Sequence, residues 1–180
     1  MKLEVVTENN SSEEPWYAEG LNFTCSQCGN CCTGAPGYVW ISKEEIGRLA
    51  EYLQMTTDTV IEQYCRRIGA RYSFNENRNA RGEYDCTFLK EIPVESTSMD
   101  ATTVAQTRRV CTIYPVRPLQ CRTWPFWKSN LQDREAWDDA AVRCHGMNHG
   151  RKFELPQITA LSTAKDWPQN APTSAERAKK

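Results

Sequence analysis

The sequence lacks a basic start running into an apolar stretch, so no secretory leader is expected. No segment approaches the roughly 18 consecutive apolar residues that suggest a membrane span, so no membrane partner is expected either. A Gly-rich phosphate loop is absent. So is the C-x3-C-x2-C spacing of radical enzymes using S-adenosylmethionine: Cys28 and Cys32 give the first interval and nothing gives the second. Histidine is scarce, and no Ser/His/Asp set can be assembled. Charge of one sign is also missing. A net charge of −1 argues against wrapping nucleic-acid phosphate. Arg66, Arg67, Arg71, Arg78 and Arg81 are interleaved with acids, without a pattern of stacking aromatics, so no nucleic-acid partner is expected. Apolar residues, at 39%, fall below the globular norm of about 45–50%. At 180 residues the chain fits one domain with a thin core that would gain from a staple.

Cysteine, by contrast, is abundant. There are nine, an odd number that rules out complete internal pairing. Without a leader the expected setting is the cytoplasm, where thiols stay reduced and clustered cysteines are more often metal ligands or catalytic groups than disulfides. Four of them fall in the eight residues CSQCGNCC, at Cys25, Cys28, Cys31 and Cys32. Neutral thiols gain little from one another, and bare thiolates repel. A bound cation reverses that sum by holding sulfur deprotonated. Two intervening residues let the chain curl so that Cys25, Cys28 and Cys31 face one centre. Cys32 adjoins Cys31, and neighbouring side chains of an extended chain point opposite ways, so Cys32 is expected to serve a second centre. Cys86, Cys111, Cys121 and Cys144 are available as singles. Eight cysteines make two sets of four and leave Cys65, which sits on a helical apolar stripe as a small hydrophobe. One site plus several core cysteines is the alternative.

Arg108, Arg109, Arg117, Arg122 and Lys128 fall in a stretch from Ala101 to Lys128 that has no acid. Arg117 and Arg122 flank Cys121 and are candidates for a supporting shell that offsets thiolate charge. Trp124, Phe126 and Trp127 would supply either a dry wall around a metal or ordinary core. His145 and His149 are read as surface residues.

Residues 1–20 read as a flexible acidic arm, 21–150 as a cysteine-rich metal-chelating domain and 151–180 as a polar tail, with room for one weak helix after His149 and a frayed, slightly basic end. Within the domain, Ser42 and Glu45 form a capping box ahead of a helix with Ile46, Leu49, Ala50 and Leu53 on one face. A second helix is expected from about Thr57 to Gly69, and a last good one from about Gln132 to Arg143. Pro118 should open a short helical turn that stops before Pro125. Tyr38–Ile41, YDCTFL and RRVCTIY read as strands, and residues 93–107 as a Ser/Thr-rich loop. The fold class is α+β: a small, irregular, metal-organised single domain with three to four helices and short strands.

CSQCGNCC, CTFL, CTIYPVRPLQCRTWPF and Cys144 occur in the order seen in the YkgJ-like family, named for its CxxCxxCC motif and for chelation of zinc or iron. The chain resembles that family over about residues 23–146. The segment C-x-I-Y-x-x-R-P-x-x-C-R, Cys111 to Arg122, is its most specific part. One departure is Cys144-His145-Gly146, where many members have Cys-Pro-Gly. The resemblance implies metal chelation by Cys25, Cys28, Cys31, Cys32, Cys86, Cys111, Cys121 and Cys144. It implies no reaction. One dense run with isolated partners is nearer the ligand pattern of iron–sulfur proteins than the paired C-x2-C of zinc sites. An iron–sulfur cluster with a redox role is therefore the expectation. A zinc-structured module that binds a protein partner, and a metal carrier or sensor, are the alternatives.

Overall fold

The computed structural model describes residues 14–93 and 107–165. Most of the expected acidic arm and nearly all of the Ser/Thr-rich loop lie outside the described residues. In chain order the elements are β1 (Leu21–Phe23), β2 (Thr33–Gly34), β3 (Trp40–Ile41), α1 (Lys43–Leu53), α2 (Thr57–Tyr64), β4 (Cys65–Ile68) and β5 (Arg71–Phe74). There follow β6 (Glu76–Arg78), β7 (Tyr84–Cys86), β8 (Leu89–Pro93), β9 (Thr107–Cys111), α3 (Leu119–Arg122), α4 (Arg134–Arg143), β10 (Met147–Phe153) and α5 (Leu155–Thr163). Asn30–Cys32 and Tyr114–Val116 are single 3-10 turns. The fold is a small α+β domain with five α-helices among the described residues, one more than the upper expectation.

The strands form four small antiparallel sheets, ordered β1-β10, β2-β7-β6, β3-β5-β4 and β8-β9. None is large enough to carry a fold alone, so their placement depends on side-chain packing.

Helix α1 begins as its sequence dictates. The Ser42 hydroxyl accepts from the Glu45 N–H, the Glu45 carboxylate accepts from the Ser42 N–H, and Ile46, Leu49 and Ala50 are buried. Helix α2 stops at Tyr64, short of the expected Gly69. Cys65 to Ile68 instead pair with Arg71 to Phe74 in a hairpin whose turn is Gly69-Ala70. Gly69 has φ +59°, the left-handed conformation that such a tight turn favours. The hairpin satisfies the same backbone groups as a helix would, and it also seats Cys65 opposite Phe74 in the core. Between its two prolines, α3 is confined to one turn, with Pro118 as its N-cap. Asp133 caps α4 by accepting from the Ala136 N–H at 2.8 Å, so the helix starts at Arg134, two residues after the expected Gln132.

Two apolar clusters fill the interior. The first joins Ile41, Ile46, Leu49, Val60, Cys65, Phe74, Phe88 and Ile113. The second joins Leu21, Phe126, Leu131, Trp137, Met147 and Ile158. Residues from both ends of the described chain join the second. Trp16 packs edge-on against Trp137 at 6.1 Å and donates to the Leu131 carbonyl, and Ile158 of α5 is fully buried. Strand β10 and helix α5 carry the described chain on to Thr163, with Met147, Phe153 and Ile158 packed among apolar partners. No helix among the described residues is long and apolar enough to cross a membrane.

Candidate metal centre

Several separate elements deliver cysteine to the seam between the two cores. Cys25 and Cys28 follow β1, Cys31 and Cys32 lie in a 3-10 turn, and Cys86 and Cys111 end β7 and β9. Cys121 lies in α3, and Cys144 is the C-cap of α4. All eight line a single cavity of about 50 Å³. Cys65 is elsewhere, buried in the first core. The cavity wall takes Phe74, Phe88 and Ile113 from the first cluster and Phe23 and Trp124 from the edge of the second.

The CSQCGNCC run is curled by two left-handed residues, Gln27 at φ +56° and Gly29 at φ +75°. Gly29 also leaves room for Leu89, whose Cδ1 would lie 2.7 Å from a Cβ there and would have to shift. The curl corrects one expectation. The chain is not extended at Cys31 and Cys32, and their sulfurs lie 3.8 Å apart. Two ligands of one tetrahedral metal are separated by about that distance when metal–sulfur bonds are about 2.3 Å. Adjacency in sequence therefore does not force Cys32 to a different centre.

Polar groups support this lining unequally. The Trp124 indole N–H donates to the Cys144 sulfur at 3.3 Å. Arg117 lines the cavity; its guanidinium sits 3.6 Å from the Tyr114 ring centre, and its Nε donates to the Tyr114 carbonyl at 3.0 Å. Arg122 turns away. Its Nε donates to the Arg117 carbonyl at 2.9 Å, and its Nη2 lies 3.5 Å from Glu45 Oε1. Arg122 therefore braces Arg117 rather than facing sulfur. Glu45, 3% exposed, accepts from the Leu119 N–H at 2.6 Å and so ties α1 to the start of the helix that carries Cys121. His145 and His149 are exposed and outside the cavity lining. Phe126 is buried in the second core, while Trp127 donates to the Gln120 carbonyl beside a different cavity. Tyr114 is a fixed position of the Cys111–Arg122 motif, whereas Phe23 and Asn30 carry no sequence signal of their own as lining residues.

The sulfurs are electrostatically unequal. A hydrogen bond from the Cys32 thiol brings Cys31 down to about 7, against burial and with help from Arg117. Cys111 comes down to about 7 through its own bond to Cys32, aided by Arg117. Those bonds to Cys111 and Cys31, together with burial, push the Cys32 thiol far up. Burial raises Cys86 to about 11 and holds Cys121 well above the thiol range. A hydrogen bond to Cys25 raises the Tyr114 hydroxyl. Cys31 and Cys111 are thus more acidic than Cys32, Cys86 and Cys121 beside them. A soft cation that binds the remainder must displace their protons.

Among the described residues, no three His, Cys, Asp or Glu side chains already converge tightly enough to hold a metal ion. The thiols ring the cavity rather than close on its middle. Their chemistry nonetheless fits the group. Soft donors enclosed by aromatic walls suit zinc or iron–sulfur centres and suit magnesium or calcium badly.

A small α+β fold built around a cysteine-lined seam defines a cysteine-rich, metal-chelating class of protein. The family model CxxCxxCC, described as "Putative zinc- or iron-chelating domain", matches residues 24–145, and the chain belongs to that family. The chain is 31% identical over 110 residues to the uncharacterized protein MJ0661 of Methanocaldococcus jannaschii, covering 61% of this chain and 48% of that one. It thus spans about half the length of this curated relative. No solved structure matches.

Proposed function

We propose that the protein chelates iron or zinc through the thiolates of Cys25, Cys28, Cys31, Cys32, Cys86, Cys111, Cys121 and Cys144, and that the bound metal staples its two cores together. The observation that carries this is the shared cavity: eight cysteines from separate elements line it, and the ninth does not. Eight donors in so small a space support two neighbouring four-cysteine sites, with sulfur available to bridge them. An iron–sulfur centre with a redox role is the primary reading. The indole donor on Cys144 and the cation of Arg117 are of the kind that tunes such centres. Zinc, as the scaffold of an interaction module or as exchangeable cargo, is the second reading. Eight thiols in one lining supply full ligand sets for two bare ions with no inorganic sulfide. Free thiols throughout support a reducing, cytoplasmic setting.

Anaerobic purification followed by elemental analysis and an absorption spectrum tests this. Brown protein that bleaches on reduction supports the iron–sulfur reading. Colourless protein with stoichiometric zinc, unfolded by chelator, supports the zinc reading. Intact protein with no stoichiometric transition metal refutes both.

A further inference from the structure

Beside the cysteine seam lies a broader, open basin of about 500 Å³. Arg81 reaches it from the tip of the β6–β7 hairpin, Arg109 from β9 and Arg143 from the last turn of α4. Glu83 is the sole acid in its lining and is already engaged by Arg81 at 3.2 Å. Two units of positive charge are thus left over. Among the described residues, neither Arg109 nor Arg143 pairs with a carboxylate: Arg109 donates to the Asn30 side-chain oxygen, and Arg143 to the Thr33 carbonyl at 3.0 Å. The Nη1 of Arg109 is buried and has no hydrogen-bond partner. Leaving a buried charged donor unmet is costly, and a planar guanidinium is matched in geometry by a carboxylate or a phosphate.

The basin is coupled to the cysteines. Asn30, which immediately precedes Cys31, accepts from Arg109 and donates to the Arg143 carbonyl at 3.0 Å. A smaller cavity of about 160 Å³ shares Asn30, Thr33 and Arg143 with the basin, and shares Cys31, Trp124 and Cys144 with the cysteine cavity. Cys31, the one residue of the nine cysteines classed as exposed, lines this passage.

We propose that Arg81, Arg109 and Arg143 form a binding site for a small oxyanion-bearing ligand, a carboxylate or a phosphate, held at the mouth of the cysteine cavity. The site goes beyond metal chelation and stands without it, since its donors are side chains that carry no metal. A negatively charged ligand drawn next to an anionic thiolate centre needs such a cluster of fixed cations.

The test is titration calorimetry of the purified protein, at low and constant ionic strength, with inorganic phosphate in one arm and succinate in the other. One arm or both should show saturable binding, and the stronger names the ligand class. Arg143→Gln and Arg81→Gln should each weaken binding at least tenfold. The Arg81 side chain pairs with Glu83 at the exposed hairpin tip, so Arg81→Gln reports even where Arg143→Gln fails to fold. A saturating anion should also slow alkylation of Cys31 in metal-free protein. Absence of binding in both arms, or binding unchanged in Arg81→Gln, overturns the site; unchanged Cys31 labelling overturns its placement. Metal content measured on the same samples separates this outcome from failure of metal chelation. Arginines that merely offset thiolate charge would change metal content and leave no anion binding to lose.

Discussion

Replacing Cys65 and Cys28 one at a time by serine gives a crossed pattern that a merely cysteine-rich core would not produce. Cys65 is 9% exposed and packs with the first cluster. A serine hydroxyl there enters an apolar site with no partner built for it, at a cost of about 1–3 kcal/mol. For a chain of this size each kcal/mol lowers Tm by about 2–4 °C, so a fall of roughly 2–12 °C follows. Metal stoichiometry should not change, because Cys65 is outside the cavity lining. Cys28 is half-buried and lines the cavity. Its replacement removes little packing, so metal-free Cys28→Ser should melt close to the metal-free parent. The loss should appear only with metal present. A ligand at 1,000 times its Kd contributes about 4.1 kcal/mol of stability, and that increment should shrink or vanish. Elemental analysis and thermal denaturation, each with and without chelator, read both quantities. Equal metal loss in the two variants would refute the division of the cysteines, and so would retention of full metal by Cys28→Ser.

Glu45→Ala should cost about 3–6 kcal/mol, from two charge-assisted bonds to the Ser42 and Leu119 N–H groups at about 1.5–3 kcal/mol each; a urea midpoint equal to that of the parent would show that α3 needs no such tie. Gly146→Ala should prevent normal folding, since its Cβ would run into the backbone carbonyl of Thr24, which has no flexible end to yield. Soluble, metal-replete Gly146→Ala protein would contradict that packing. In metal-free protein, Cys31 and Cys111, brought down to about 7, contribute stability that is present above the ordinary thiol pKa and lost as pH falls through about 7. Cys65 and Cys86, raised to about 11 by burial, contribute stability that is present below the ordinary pKa and lost as pH rises through about 11. Timed alkylation at neutral pH should therefore mark Cys31 first and Cys32, Cys65, Cys86 and Cys121 last; uniform labelling of a folded sample would count against this ordering.

Local signals were legible wherever one stretch of chain satisfied itself. The Ser42–Glu45 box, the stripe of Ile46, Leu49 and Ala50, and the proline-bounded turn holding Cys121 all follow from neighbours in sequence. Composition and spacing alone also marked Cys65 as the odd thiol, because it sat among apolar residues at helical intervals. Its helix was nonetheless misread. The competing hairpin draws on Phe74, nine residues further on, and a periodic pattern does not register such a partner. Strand β10 went unseen because most of its residues are exposed, so its apolar contrast is weak.

The chemistry on offer is legible in the covalent chain: nine cysteines, four of them crowded into one run, with too few apolar residues for a large core. Covalent order fixes which donors exist and how tightly one run can curl. Folding alone brings Cys86, Cys111, Cys121 and Cys144 to that run at the seam of two cores, sets Arg117 but not Arg122 in the cavity lining, and gathers three arginines at the opening. Those are contacts between residues tens of positions apart, and they exist only once both cores have closed around them.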